Sequence, residues 1–287
     1  GDGQIDETDF VLFYAQGLVK WNSINLQNTA NHFSRSTVDS VFYYLTIGSN
    51  GKRVGTQNTQ SNIFENRNEF TQRFLFEKDS ISFLNSGKTL WGLPMGVGIG
   101  KQSQLNFLVN TQGMNSASSV NCYAHLASTS YQVNGQFDFF WNDQLAHTTL
   151  LQPVTGMLFD DIAKEVVDSF EKTNIANWPS KSNLKVSYTS ANASATGWID
   201  YIEIVMQKPV GFWQDSTLCF SVENNIQKGK FVNCNLQDID PNSMIWNVTN
   251  TGSPVQISWQ SGLGNTGSFL QQIDSAQTFF AIKNNAC

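Results

Sequence analysis

Short runs of alternating apolar and polar residues recur along most of the chain and predict a protein built from β-strands. The clearest run is 184–188, Leu-Lys-Val-Ser-Tyr, in which apolar and polar side chains alternate strictly, as a strand with one solvated face requires. Comparable apolar runs, separated by clusters of turn residues, lie at 37–47, 70–76, 105–109, 120–126, 137–141 and 198–206. Several short strands at this spacing predict a β-sandwich or a jelly roll.

One segment fits two kinds of secondary structure. In residues 160–171 the apolar side chains recur with the spacing of one helix face, and the leading Asp160 and Asp161 could cap a helix. The inner part, residues 166–170, suits a strand equally well. The sequence leaves helix and strand open at this position.

Two interruptions of the strand pattern predict the domain boundaries. Residues 50–62 consist of turn residues with almost nothing apolar, and Pro209 closes the central region. Each flanking piece offers too few strands to bury a core by itself. We therefore predict an all-β protein of two β-sandwich domains. A discontinuous β-rich domain comprises 1–62 plus 209–287, and a jelly-roll-like, galactose-binding-like sandwich comprises 63–208.

The composition agrees with an extracytoplasmic β protein and excludes two classes of function. The chain has 287 residues, of which 40% are hydrophobic and only 14% charged, with 21 Phe and 8 Trp. Its net charge of -6 and the lack of a basic block argue against nucleic acid as a partner. No apolar run approaches the roughly 18 residues that a membrane-spanning helix needs, so no transmembrane segment is predicted.

The cysteines allow one disulfide at most in the strand-rich regions. There are four, at positions 122, 219, 234 and 287, which is too few and too irregular for a disulfide scaffold or a zinc site. A hairpin between 218–222 and 230–235 would place Cys219 opposite Cys234 at a separation that permits a disulfide. A register slip of one residue removes the pairing, so two separate thiols are the alternative.

The histidines do not form a catalytic or metal-binding pattern in the sequence. Cys122 and His125 are the nearest pair of a thiol and an imidazole, but residues three apart on a strand face opposite ways. We therefore predict a core position for Cys122 and a rim position for His125. His32 and His147 lie far apart without metal-ligand spacing, so no catalytic residue is predicted.

The start of the chain resembles part of a calcium-binding loop. Residues 1–9 match the second half of a loop of the EF-hand kind, with Asp2, Asp6 and Asp9 at the ligand positions. The first half of the loop is missing, so a polar turn is favoured over a weak calcium site. No other cofactor is predicted.

The strand at 198–206 has apolar side chains on both faces, which is typical of a buried strand. Strict alternation places Asp200 on the same face as Ile202 and Ile204. A carboxylate on an apolar face needs hydrogen bonds from backbone amides, or a cation such as a structural calcium ion. Structural roles are therefore predicted for four residues of this strand and of a later one: Trp198, Asp200, Tyr201 and Trp246.

The remaining tryptophans suggest a binding surface. Tryptophan rings on one concave face would stack on sugars, although tryptophan is more often a core or interface residue. The candidates for such a surface are Trp91, Trp141, Trp178 and Trp213. They motivate a carbohydrate-binding β-sandwich module as an alternative function.

Four stretches, taken together and in order, resemble one protein family. They are 10–17 (Phe-Val-Leu-Phe-Tyr-Ala-Gln-Gly), 86–92 (Ser-Gly-Lys-Thr-Leu-Trp-Gly), 197–204 (Gly-Trp-Ile-Asp-Tyr-Ile-Glu-Ile) and 244–249 (Met-Ile-Trp-Asn-Val-Thr). The chain resembles the N-terminal, non-catalytic region of the type IX secretion system sortases, which belong to the gingipain-like cysteine peptidases. It departs from the family at Asn247, where the family has aspartate.

The resemblance implies a region of an exported Gram-negative protein associated with the cell surface and outer membrane. The parent would cleave the C-terminal sorting signals of secreted cargo and attach the cargo to the surface, with its peptidase domain downstream of Cys287. The implied partners are that peptidase domain, the C-terminal signal domains of cargo, and outer-membrane secretion components. By itself this chain is expected to be a scaffold and recognition region without activity. A plain structural spacer is a third alternative.

Overall fold

The structure is a computed structural model, and it describes residues 12–21, 32–33, 40–44, 51, 53–83, 89–115, 118–157, 160–175, 177–213, 215–223 and 227–283. Every secondary-structure element within these residues is a β-strand, so the prediction of an all-β fold is confirmed. None of the described residues belongs to a helix long and apolar enough to cross a membrane.

Nineteen strands lie within the described residues. In chain order they are β1 Lys20–Trp21, β2 His32–Phe33, β3 Gly55–Gln57, β4 Glu65–Arg67, β5 Phe70–Glu77, β6 Gln104–Asn110, β7 Ser119–Ser128, β8 Gly135–Trp141, β9 Gln144–Leu151, β10 Lys164–Lys172, β11 Lys181–Ser190, β12 Gly197–Lys208, β13 Thr217–Val222, β14 Lys230–Leu236, β15 Met244–Asn247, β16 Val255–Ile257, β17 Gln260–Ser261, β18 Gly267–Ile273 and β19 Gln277–Ile282.

The chain divides into two compact units. The flanking unit consists of Gly1–Leu18, Ser40–Arg67 and Gly211–Cys287, and the central unit consists of Val19–Asp39 and Asn68–Val210. These ranges differ from the predicted domains in one main respect, because Val19–Asp39 groups with the central unit.

The central unit is a sandwich of two antiparallel sheets. Its β12 sheet has the strand order β10-β7-β12-β5, and its β11 sheet has the order β6-β11-β8-β9. A short antiparallel pair, β1 with β2, also belongs to this unit. The two sheets enclose a core of buried apolar side chains that includes Val120, Cys122, Phe137, Trp141 and Ile204. Alternate residues of each strand face this core, as the pleat of a half-buried strand requires.

Residues 164–172 form a strand, so the strand alternative for this segment is correct. Strand β10 pairs with β7 over nine positions, from Lys164 opposite Ser128 to Lys172 opposite Val120. Val166 and Phe170 pack against the core, and the charged residues at both ends are typical of a strand at the edge of a sheet. The ladder to β7 outweighs the helical spacing, because strand pairing overrides local propensity.

The flanking unit also contains two sheets. One has the order β13-β19-β15-β16-β3, and the other has the order β17-β18-β14-β4. The ring of Phe279 on β19 lies 5.4 Å from that of Phe220 on β13 and 5.1 Å from that of Phe269 on β18. The contact between Phe279 and Phe269 joins the inner faces of the two sheets, whereas Phe220 and Phe279 are neighbours within one sheet.

The predicted hairpin between 218–222 and 230–235 is wrong, and so is the disulfide that it would have allowed. Strand β13 pairs with β19, which places the exposed Cys219 opposite Phe280. Strand β14 pairs with β18 in the other sheet, which places the buried Cys234 opposite Phe269. Burial raises the pKa of Cys234 to about 12, so this thiol stays protonated. The two strands therefore belong to different sheets and do not pair with each other.

Candidate functional site

Strand β12 presents charged side chains on the face of its sheet that points away from the core. Ile199, Ile202 and Ile204 belong to the core, and the register shifts between Ile199 and Ile202. This bulge breaks the strict alternation predicted for 198–206, because an extra residue turns the following side chains over. Asp200 therefore does not share a face with Ile202 and Ile204. It lies with Glu203 on the outer face.

The first histidine of this face supplies the partner that Asp200 was predicted to need. Nδ1 of His125 on β7 donates a hydrogen bond to Oδ2 of Asp200 at 2.8 Å. Nε2 of the same ring lies 3.5 Å from Oε2 of Glu165 on β10. The predicted partners were backbone amides or a cation, and an imidazole from the neighbouring strand takes that place. Its contact with the Trp91 ring, at 4.8 Å between centroids, fixes the orientation of the imidazole.

The second histidine attaches the short β1–β2 pair to the sheet. The backbone N–H of His32 donates to Oε1 of Glu203 at 2.9 Å, and its Nδ1 donates to the same oxygen. Nε2 of His32 is 3.9 Å from Oε2 of Glu77, and its ring meets the Tyr201 ring edge-on at 4.8 Å. The Glu203 side chain is 0% exposed. A carboxylate with so little water around it requires such donors.

Electrostatics keep the hydroxyl of Tyr201 protonated. Burial raises its pKa strongly, and the neighbouring carboxylates of Glu203, Asp200 and Glu77 raise it further. Tyr201 is therefore an uncharged aromatic side chain among these carboxylates.

Three carboxylates of this face could together hold a hard cation. Side-chain oxygens of Glu77, Asp79 and Asp200 all lie within 4.8 Å of one another. Oxygen donors of this type are the ligands that calcium prefers. The residues of the polar turn or weak calcium site, Asp2, Asp6 and Asp9, lie outside the described residues.

The charged side chains around His125 offer hydrogen bonds and charge. Cys122 does not add a nucleophile to them. Cys122 is fully buried in the core, whereas His125 faces the other side of β7, which is where strand alternation predicts them. Burial also raises the pKa of Cys122 far above its ordinary value. A protonated thiol on the opposite face cannot form a dyad with this imidazole.

Two of the four tryptophans predicted to form a sugar-stacking surface are core residues. Trp91 and Trp141 are each 1% exposed. Trp178 is half-buried and packs against Trp141 with 4.9 Å between ring centroids, and Trp213 lies in the flanking unit. Trp91 and Trp141 therefore cannot offer their rings to a sugar, so the prediction is wrong for these two residues. The apolar area of Trp91 and Trp141 is used to fill the interior.

The four stretches that resemble one family pack in pairs. Phe83 stacks on Trp91 at 5.4 Å and meets Trp198 edge-on at 4.8 Å. The N–H of Gly92 donates to the carbonyl of Ile199 at 2.9 Å, and a Cβ at Gly92 would lie only 2.7 Å from that oxygen. The Trp91-Gly92 stretch and the Gly197–Ile204 stretch therefore form one packing unit. This explains the need for glycine at position 92.

The first and fourth stretches meet in the flanking unit. The Tyr14 ring lies 5.8 Å from the ring of Phe280, and Phe280 pairs across the sheet with Trp246. Trp246 is 7% exposed. Asn247, which replaces the aspartate of the resembled family, donates from Nδ2 to Oε1 of Gln277 at 3.1 Å. An aspartate could not donate this bond.

Several residues of the charged face were not found from the sequence. His32 and Glu203 are 171 positions apart, so no spacing rule connects them. The available signal was a glutamate inside an otherwise apolar strand, which must find a partner when buried. Glu77, Asp79 and Glu165 carry no comparable signal.

Comparisons with known proteins find a solved structure of similar fold. No protein-family model matches the chain, and no curated protein matches its sequence. The crystal structure of dimeric latent PorU from Porphyromonas gingivalis matches with a TM-score of 0.71 and 11% identity, over 94% of this chain. The match covers 26% of the PorU chain. This chain therefore has the fold of a region of PorU and spans about a quarter of that protein.

Two other solved structures match much more weakly. The insecticidal delta-endotoxin Cry8Ea1 of Bacillus thuringiensis has a TM-score of 0.26 and 14% identity, over 39% of this chain and 18% of its own. A cycloisomaltooligosaccharide glucanotransferase of Paenibacillus sp. has a TM-score of 0.22 and 6% identity, over 80% and 47% of the two chains. Scores this low support no structural argument.

Proposed function

We propose that this chain, which has the fold of a region of PorU, is a non-catalytic scaffold and recognition region of a sortase-like cysteine peptidase of the type IX secretion system. The observation that carries the proposal is the match to PorU across 94% of the chain at a TM-score of 0.71. The four sequence stretches support it independently, because they resemble the same family and occur in the same order.

In this proposal the parent protein is larger than this chain and carries the peptidase domain elsewhere. The chain would act at the surface of an exported protein, where it positions the peptidase domain relative to the C-terminal signal domain of cargo and to outer-membrane secretion components. The packing of Cys122 in the core supports a non-catalytic role, because its thiol faces away from His125.

The charged face of the β12 sheet is the surface that we assign to recognition. Its carboxylates and two imidazoles offer directional hydrogen bonds, and such charged groups contribute to specificity more than to affinity. Asp200 and Glu165 lie on either side of His125, with side chains that are 14% and 49% exposed. A basic or amide-rich segment of a partner could bind there without entering the core.

The proposal is tested by titrating the purified chain with a cargo C-terminal signal domain in a calorimeter and, separately, by assaying cleavage of the same domain. We expect binding without cleavage by the wild-type chain. We expect weaker binding by Glu165→Gln and unchanged binding by Glu65→Gln, a control on an exposed carboxylate of the flanking unit.

Two results would overturn the proposal. Cleavage of the signal domain by this chain alone would refute a non-catalytic role. The absence of binding both to the signal domain and to the separately purified peptidase domain of the parent would refute recognition and scaffolding together.

A further inference from the structure

Loops from four places in the sequence meet at one end of the central sandwich. Ser128, the last residue of β7, lies opposite Gly197 at the start of β12. Gly135 at the start of β8 lies opposite Leu151, the last residue of β9. Met95 pairs with Gly197 in an isolated bridge. The segments that emerge at this end are therefore 96–101, 129–134, 152–157 and 191–196.

Hydrogen bonds hold these loops to one another. Nζ of Lys101 donates to the carbonyls of Ser194 at 3.0 Å and Ala195 at 2.9 Å. The N–H of Thr129 donates to the carbonyl of Thr196 at 3.0 Å, and other bonds connect Ser130 with Ser190 and Val154 with Ser130. The end of the sandwich is thus a connected surface and not a set of independent loops.

This connected surface displays apolar side chains to solvent. Val97 and Ile99 are 77% and 106% exposed, and they are the only residues between three glycines that all have positive φ. Glycine adopts positive φ at no steric cost, so the three glycines allow the chain to make a narrow turn. The two aliphatic side chains project from this turn. Further exposed apolar side chains on the neighbouring loops are Tyr131 (44%), Val133 (37%) and Met157 (75%).

The charges at this end cancel. The charged residues of the four loops and of the adjoining segment 160–164 are Lys101, Asp160, Asp161 and Lys164. Nζ of Lys164 lies 3.0 Å from Asp160 and 2.7 Å from Asp161, so both carboxylates are paired. The Lys101 ammonium is occupied by backbone carbonyls. The surface therefore combines projecting apolar groups with almost no net field.

We propose that this end of the central sandwich binds a phospholipid bilayer with electrically neutral headgroups, by inserting Val97 and Ile99 into the boundary between headgroups and acyl chains. Exposed aliphatic side chains gathered at one end of a sandwich, on loops that are hydrogen-bonded to one another, point to an interaction site. Side chains that project singly from a narrow turn need a partner that adapts its shape, and a bilayer does so whereas a folded protein must supply matching pockets. Because this end of the sandwich carries no net charge, its binding would depend on buried apolar area and not on attraction to charged headgroups. The inference does not depend on the proposed role in cargo recognition.

The test is co-sedimentation of the whole chain with phosphatidylcholine vesicles. We expect the wild-type chain to bind, and V97S/I99S to bind about tenfold or more weakly, because two aliphatic side chains no longer leave water. The matched control is Leu145→Ser, which removes an apolar side chain that is 58% exposed at the opposite end of the sandwich. We expect this control to bind like the wild type. Circular dichroism and thermal unfolding establish that all three proteins fold.

Vesicles containing phosphatidylglycerol separate insertion from adsorption by charge. We expect their binding to exceed that of neutral vesicles by no more than about twofold, since the end carries no net charge. The proposal is overturned if the wild-type chain does not bind neutral vesicles, or if V97S/I99S binds as well as the wild type. It is also overturned if the wild-type chain does not bind vesicles and V97S/I99S instead loses affinity for a purified protein partner.

Discussion

The two faces of strand β12 carry side chains that are equally buried but for opposite physical reasons. Ile204 faces the β11 sheet and Glu203 faces the other way, and both are 0% exposed. Removing Ile204 from water is favourable in itself. Removing Glu203 from water is costly and is tolerated because His32 donates two hydrogen bonds to it. The degree of burial therefore does not tell how a position contributes to stability.

The largest effect is expected on the apolar face. Ile204→Ala should lower the free energy of unfolding by about 2 to 5 kcal/mol, because the surrounding core cannot fully close the cavity. Urea denaturation measures this loss. The control Ile204→Val should cost only about 0.5 to 1.5 kcal/mol. If both variants cost the same small amount, the inner face is not the close-packed core described above.

The charged face should respond in a different pattern. His32→Leu should cost about 3 kcal/mol, because it leaves Glu203 buried with fewer donors. The double variant H32L/E203L should recover most of this loss, since two apolar groups replace a buried pair. Denaturation of the two single variants and the double variant gives the coupling between the residues. Additive losses would show that the pair does not interact.

A third substitution tests how tightly the apolar face packs at the start of β12. A Cβ at Gly197 would lie 2.5 Å from the Tyr188 ring and 2.7 Å from that of Phe137. Gly197→Ala should therefore cost about 1 to 3 kcal/mol through overpacking, as measured by thermal or urea unfolding. Gly55→Ala is the control, because a Cβ there meets nothing within 4 Å. Equal stability of both variants would contradict the close approach.

The smallest effect concerns a more exposed imidazole and carboxylate pair in the same unit. Asp168 accepts hydrogen bonds from Nε2 of His147 at 2.8 Å and from the Thr149 hydroxyl at 2.7 Å. Partial burial opposes its ionisation, but these bonds and one from the N–H of Ser169 outweigh burial and hold its pKa below the ordinary 3.8. A lowered pKa means that the stabilisation is present above pH 3.8 and is lost as the pH falls further.

The corresponding experiment compares the wild-type chain with Asp168→Asn by urea denaturation at several pH values. The variant should be less stable by about 1 kcal/mol at pH 7, given the solvent exposure of the pair. The difference should shrink at pH 3 and below. A difference that stays constant across this range would mean that ionised Asp168 contributes nothing specific.

Much of the strand content was predictable because alternation is a local property. The run 184–188 alternates strictly, and Leu184, Val186 and Tyr188 are all buried. Strand pairing was less predictable, because it depends on residues far apart in the chain. Strands β13 and β14 are sequence neighbours, yet they pair with β19 and β18 in two different sheets. The hairpin that would have set Cys219 opposite Cys234 was predicted wrongly for this reason, and the two thiols lie in different sheets.

The charged face was predictable only in part. The requirement that Asp200 have a partner followed from burying a carboxylate in a strand. The identity of the partner did not follow, because His125 comes from another strand 75 positions away. The bulge between Ile199 and Ile202 also left no mark in the alternation of apolar and polar residues. Local sequence thus predicts which residues need partners, and only the assembled sheet determines which residues meet that need.

The position of β12 has a consequence for how the chain folds as it emerges during synthesis. Strand β12 lies between β5 and β7 in the sheet, although it comes long after both strands in the sequence. Neither earlier strand can acquire its inner neighbour until the segment up to Lys208 has become available. Ordering of this sheet is therefore delayed to a late moment, and closing such distant pairings makes folding slow. Until then the earlier strands keep open edges, which are prone to pair with other chains.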